Sequence, residues 1–455
     1  MQTSMSMRGV VPLLACVRGV AAAAAVAGLA AVLAPSTALA AAGDLDPTYG
    51  IGGRQTLSFT TSVVPADSAV QPDGKLLVAT GLDNTPTATE AFGVVRLRVD
   101  GSLDTAFGQH GVASAVFTNF INAPAAMALQ PDGRILVAGN AMSADGTLSE
   151  FAIARFKPNG ALDASFGSGG RVTTNFVGVM PGGVSNPATA LVLSPDKRIV
   201  VGGAASQCAH CTHDLALARY QANGALDPTF GVGGRVQVAG LPPPNAMALL
   251  SNGHLLVLAG SDVAEFDKAG VQVTVTSTTR GARIVARGHV GISGFLADGR
   301  IVLAQNVSGV QQVGRCDGSV RDVHVQVSRF MPLGNMDLSF ARPLFDFGPG
   351  SSPCTNAAQA VLPVDGDGTT LVGGLSTPAL STDVFGVGRL TGDGALDPAF
   401  GNGGTVTTAF GQPGQFGFSF VDTLARQADG KVLAIGISGD HQAHTWLTVA
   451  RYLRM

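Results

Sequence analysis

Three clusters hold most of the residues that could do chemistry. The first is Cys208-Ala209-His210-Cys211-Thr212-His213-Asp214. A Cys-x-x-Cys with two histidines and a carboxylate suggests zinc or dithiol redox chemistry. No second Cys-x-x-Cys follows to complete a four-thiolate site, and the order is not that of haem attachment. A local Cys208–Cys211 disulfide is the favoured reading, with metal and free thiols as rivals. The second is the pair Cys316 and Cys354, which a neighbouring-blade layout would place on one face as a second disulfide. The third is Asp440-His441-Gln442-Ala443-His444-Thr445-Trp446, which holds the only tryptophan. His210, His213, Asp214, His441 and His444 are the weak metal candidates. A solvated loop is the favoured reading of the last cluster, since short motifs match by chance. Asp67 and Asp422 are candidates to face a central channel.

A fourth pattern is periodic. Arg96, Arg155, Arg219, Arg329 and Arg389 are each followed eight residues later by Asp104, Asp163, Asp227, Asp337 and Asp397. Arg451 falls too near the end of the chain, and its cyclic counterpart is Asp46. One unit has Glu265 and Val273 instead, so both partners change together. A structural, bidentate, partly buried Arg–carboxylate pair explains this. The rival, a row of calcium sites, supplies too few oxygens. No nucleophile elbow, P-loop or HExxH occurs. The reading therefore assigns no catalytic residue and no cofactor.

These residues sit in a repeat. Asn223–Gly234 reads N-G-A-L-D-P-T-F-G-V-G-G, and close copies recur about every sixty residues. Each unit runs through a small-residue strand, an Asp-Gly turn, a β-branched strand, a variable loop, a third strand and the Leu-Asp phrase. Asp-Gly accepts the positive φ of tight hairpin turns. Turns at Asp73, Asp132, Asp196, Asn252, Asp298, Asp365–Gly368 and Asp429 give seven units. Four antiparallel strands repeated seven times predict an all-β, seven-bladed β-propeller. The first copy enters mid-unit and the last stops after a third strand. A strand over 54–59 is therefore expected to complete the last blade and close the ring.

Composition agrees. Of 455 residues 61 are Gly and 13% are charged, which suits short strands and tight turns. The net charge of −3 gives no reason to expect nucleic acid as a partner. Residues 1–40 carry only Arg8 and Arg18 as charges, then an Ala-rich apolar run and Ala38-Leu39-Ala40. They read as a signal peptide, leaving 43–455 as one propeller domain with no membrane span. The chain is thus expected outside the cytoplasm: secreted, periplasmic or at the cell surface.

The motifs L-D-x-x-F-G-x-G-G, A-x-A-L-Q-P-D-G-[KR]-I-L-V-A-G and A-R-[FY]-x-x-[ND]-G together resemble the delta-60 repeat of bacterial secreted and surface proteins. The resemblance covers about residues 43–455. It implies a β-propeller of unknown function and brings no catalytic residues. The expected role is a monomeric binding or scaffold module for a protein or glycan, acting through its variable loops. The alternatives are a propeller enzyme, such as a metal-assisted hydrolase or lyase on glycans or lactones, and a purely structural surface protein.

Overall fold

The structure is a computed structural model. It describes residues 40–454 apart from 60–62, 85–88, 118–119, 144–147, 177–185, 207–212, 278–291, 309–322, 333, 349–354, 365, 378–382, 411–416 and 441–443. All four cysteines of the repeat region, with His210 and His441, lie outside the described residues.

Among the described residues the strands form seven four-stranded antiparallel sheets, and there is no helix. Blades 1 to 6 span 63–115, 120–174, 188–238, 244–277, 292–345 and 355–408. Blade 7 combines 417–452 with the strand Arg54–Leu57. Arg54 pairs with Ala450 and Leu57 with Leu447, so the first of the described strands closes the ring on the last. The first strands of successive blades touch one another, and the strand Gly417–Arg426 of blade 7 returns to Val63–Val70 of blade 1. These are the inner strands around the axis.

Apolar side chains fill each joint between neighbouring blades. Leu77, Phe92 and Val94 of blade 1 meet Ile135, Val137 and Phe156 of blade 2. Such face-to-face burial is what a lone four-stranded sheet lacks. The joint between blades 4 and 5 is thinner. Its buried members among the described residues are Leu256, Leu258, Val263, Ile301, Leu303 and Phe330.

The small residues near the axis have a specific cause. The inner strand carries a register shift in six blades, between Pro65 and Asp67, Pro124 and Ala126, Ala188 and Ala190, Pro244 and Ala246, Ala358 and Ala360, and Val421 and Thr423. A bulge of this kind bends the strand and leaves one residue out of the ladder. It also drives a carbonyl against the second strand. A Cβ on Gly374 would lie 1.9 Å from the Ala357 oxygen, and one on Gly436 1.9 Å from the Phe420 oxygen. Blade 1 solves the same contact differently: Thr80 stands there, and its hydroxyl donates to the Val64 carbonyl at 2.9 Å.

The arginine joint and the candidate functional site

The six arginines and their aspartates do meet. The distances are 2.9 Å for Arg96–Asp104, Arg155–Asp163 and Arg219–Asp227, 2.8 Å for Arg329–Asp337 and Arg389–Asp397, and 3.0 Å for Arg451–Asp46. The geometry is not the bidentate fork expected from sequence. The nearest guanidinium nitrogen meets one carboxylate oxygen, Oδ2. In five blades Nη1 turns away and donates to a backbone carbonyl of the next blade. Those acceptors are Pro158, Ala222, Lys268, Gly392 and, for Arg451, Val99 of blade 1. The arginine thus spans a joint rather than bracing one turn.

Its flat face is used as well. Each guanidinium lies over the aromatic ring of the phrase, 4.3 Å from Phe107, 4.5 Å from Phe166, 4.6 Å from Phe230, 4.6 Å from Phe340, 4.8 Å from Phe400 and 4.6 Å from Tyr49. This is cation–π geometry in a buried setting, which favours a rigid planar cation over lysine. The far side of several of these rings is filled by glycine of the next unit. A Cβ on Gly224 would come within 2.9 Å of Phe166, and one on Gly270 within 2.8 Å of Phe230. The glycine after the ring completes the joint: Gly167 N–H donates to the Asn223 carbonyl at 2.8 Å, and Gly231 N–H to Ala269 at 2.7 Å.

A third charged member escaped the sequence reading. The cation two residues after the turn Asp also reaches the buried carboxylate. Arg134 Nε lies 2.8 Å from Asp163, Arg198 Nε 2.8 Å from Asp227, Lys431 Nζ 3.1 Å from Asp46 and Lys75 Nζ 3.7 Å from Asp104. The signal was present in the [KR] of P-D-G-[KR]. Blade 4 inverts the arrangement. Glu265 sits where the arginine belongs, and His254, at the turn position, lies 2.7 Å from it. The pair survives there within one blade, and among the described residues neither side chain makes a hydrogen bond to the next blade.

Burial raises the pKa of Asp163, yet the Ser165 hydroxyl and N–H, Arg155 and Arg134 outweigh it and hold the carboxyl down to about 2. Asp46 behaves alike. Burial opposes ionisation, while Thr48, Lys431 and Arg451 bring the carboxyl to about 2. Both stay charged over the physiological range, as a structural ion pair requires.

Four segments, 71–107, 130–166, 194–230 and 366–400, match the model of a β-propeller family described as a domain of unknown function, DUF5122. These four segments, about a third of the chain, are similar to the repeats of that family. Each matched DUF5122 segment ends on or beside the Phe that covers the arginine, so the segment encloses one whole Arg–Asp unit. No curated protein matches the chain. Among solved structures, three are similar to the chain at low identity. The propeller domain of the Trilobed protease from Pyrococcus furiosus is 8% identical, with 86% of this chain and 94% of that chain covered and a TM-score of 0.41. An α-L-arabinofuranosidase of Fusarium graminearum is 12% identical, with 88% and 97% covered and a TM-score of 0.43. The Pan2 WD40 domain of Neurospora crassa is 10% identical, with 86% and 89% covered and a TM-score of 0.44.

The arginine joints occupy the face that carries the Asp-Gly turns. The second strands end and the third strands begin on the other face, and the residues between them differ in sequence in every blade. Gly260-Ser261 suffices in blade 4, whereas blade 5 has residues 309–322. On this face Asp214 accepts from Gly240 N–H at 3.0 Å and Gln237 Nε2 at 3.2 Å, so its carboxylate anchors the outer strand. His213 is exposed. His444 Nδ1 lies 3.0 Å from Asp440 Oδ2, and its ring is 6.4 Å from Trp446. Among the described residues no three His, Cys, Asp or Glu side chains are grouped to hold a metal ion.

The channel carboxylates separate by environment. Asp67 accepts N–H donors from Met127 and Ser68, each at 2.7 Å, and burial still raises it to about 6. Asp422 occupies the bulge of blade 7. Burial pushes it up to about 7, and its Oδ2 has no hydrogen-bond partner. A carboxyl whose folded pKa exceeds its unfolded value costs stability as pH rises through the interval between them, here from about 4 to 7. Asp422→Asn is therefore expected to be neutral at pH 4 and to stabilise by roughly 1–3 kcal/mol at pH 8. Equal denaturation midpoint shifts at both pH values would contradict this.

Proposed function

We propose that this protein is an exported propeller that binds a protein or glycan ligand through its variable-loop face. One contrast carries the reading. The turn face repeats the same Arg–Asp–aromatic joint six times, while the opposite loops differ in length and composition from blade to blade. Loops freed from a structural task on a rigid scaffold are where recognition concentrates. Residues 1–40 supply the export signal in this account, and 43–455 the binding domain. His444 and Trp446 are contacts on that face rather than metal ligands, while Asp214 anchors the outer strand.

The test uses the chain from residue 41, screened on a glycan array and as bait against extracellular proteins. The expected result is a saturable ligand whose binding falls at least tenfold on His444→Ala/Trp446→Ala or on exchanging the blade 3 loop. The same ligand should tolerate Lys75→Met on the turn face. Binding that follows Lys75 and ignores the loops would reverse the assignment.

A further inference from the structure

The dipeptide Asn-Gly occurs four times, at Asn159-Gly160, Asn223-Gly224, Asn252-Gly253 and Asn402-Gly403. Glycine has no Cβ to keep its own backbone nitrogen away from the side-chain amide that precedes it, so this pair is prone to cyclise. Three of the four are restrained in the same way. Asn159 Oδ1 accepts the N–H of Ala161 at 3.1 Å, Asn223 Oδ1 that of Ala225 at 3.0 Å and Asn252 Oδ1 that of His254 at 2.9 Å. These are Asx turns, which hold the side chain in place. The nitrogen that would attack is tied as well. Gly160 N–H donates to the Lys157 carbonyl and Gly224 N–H to the Gln221 carbonyl, each at 2.9 Å, and Gly253 N–H to the Leu250 carbonyl at 2.8 Å.

Asn402-Gly403 has neither restraint. It lies in the closing turn of the phrase, Gly401-Asn402-Gly403-Gly404, where Ile51, Gln109, Ser168 and Val232 stand in place of Asn402 in other copies. The main chain of Asn402 is fixed, since its N–H donates to the Thr405 carbonyl at 2.9 Å. Among the described residues, neither the Asn402 side chain nor the Gly403 N–H has a hydrogen-bond partner. Both residues are exposed, and a Cβ on Gly403 would meet nothing within 4 Å. The turn also belongs to the closing joint of the ring. Gly401 N–H donates to the Ala42 carbonyl at 2.8 Å, and Gly404 N–H to the carbonyl of Phe400, the ring beneath Arg389, at 2.9 Å.

We propose that Asn402 is a site of spontaneous deamidation, which leaves an aspartyl or isoaspartyl residue in the joint that closes the ring. The Gly403 nitrogen attacks Cγ of Asn402 and gives up its proton. The bond from Cγ to the side-chain nitrogen breaks, and that nitrogen leaves as ammonia. Water then opens the cyclic imide. Cleavage at the side-chain carbonyl restores the main chain and leaves a carboxylate on the side chain. Cleavage at the main-chain carbonyl leaves the isoaspartyl form, with Cβ inside the main chain. Water is the only co-reactant. Either product adds a negative charge to the turn, and the isoaspartyl form also lengthens the path from Gly401 to Gly404.

The test is to age the full chain in heavy-oxygen water at mildly alkaline pH, both folded and in denaturant, and to follow the four sites by peptide mapping and mass spectrometry. In the folded protein Asn402 should lose its amide at least tenfold faster than Asn159, Asn223 or Asn252, with one heavy oxygen taken up. In denaturant the four rates should become comparable. Equal rates in the folded protein, or a faster loss at any of the other three, would overturn the proposal. A tenfold preference for Asn402 that persists in denaturant would also overturn it, because the flanking sequence rather than the missing hydrogen bonds would then set the rate.

Discussion

Replacing Asp163 by Asn should destabilise the protein by about 3–5 kcal/mol, because it leaves Arg155 buried without its counter-charge. Arg155 is 6% exposed, and Arg134 then faces it with the same sign. Arg155→Met alone should cost less, since Asp163 keeps Arg134 at 2.8 Å and the Ser165 hydroxyl at 2.8 Å. The double variant should be more stable than the sum of the two losses predicts, with a coupling of about 1–3 kcal/mol. Chemical denaturation of the four proteins measures this, and additivity within about 0.5 kcal/mol would contradict it. The sign with pH is fixed by the depressed pKa. The contribution of Asp163 is complete above about pH 4 and is lost as pH falls toward 2.

Deleting residues 41–57 should have the largest effect of any change outside the core. The strand Arg54–Leu57 supplies the fourth strand of blade 7. The same segment brings Asp46, Thr48 and Tyr49 to Arg451, whose side chain is 3% exposed. Without it the edge of Thr445–Tyr452 is bare and Arg451 is a buried, unpaired charge. A melting midpoint lower by about 10 °C or more is expected, with aggregation through the open edge. Adding residues 41–59 as a peptide should restore part of the loss. A truncated chain that melts like the full one would show that the ring does not close through this strand.

The architecture was legible because its signals are local. Asp-Gly turns, alternating β-branched strands and a phrase returning at fixed spacing identify the blades without any long-range knowledge. Ring closure followed from counting, since a chain that starts and stops mid-unit has one strand left over. The Arg–Asp spacing was legible for the same reason. Its purpose was not. The carbonyls of Ala222 and Gly392 that accept from Arg155 and Arg329 lie one full repeat further on, and nothing in the spacing singles them out. The turn cations were hidden differently. Lys and Arg beside an Asp-Gly turn look like ordinary solvated charges, and only the fold brings Arg134 to Asp163. The second-strand glycines, as in V-A-G, carry no signal of their purpose in the spacing alone. The bulge opposite Gly374 and Gly436 explains them, and a bulge leaves no mark in its own strand beyond small side chains.

The central claim is that the repeated phrase is a joint between blades, so the one joint without it should be the weakest. Amide hydrogen exchange tests this directly. The outer strand of blade 4, Gln272–Ser277, is longer than its counterparts Arg171–Thr174, Arg235–Val238 and Thr405–Thr408, and all its residues but Val273 are paired in the ladder. Pairing alone would protect it at least as well. If the Arg–Asp–aromatic unit holds the blades together, Gln272–Ser277 should exchange at least tenfold faster than those three strands. Protection equal to theirs would show that the joint is held by apolar contact alone and that the phrase has another purpose.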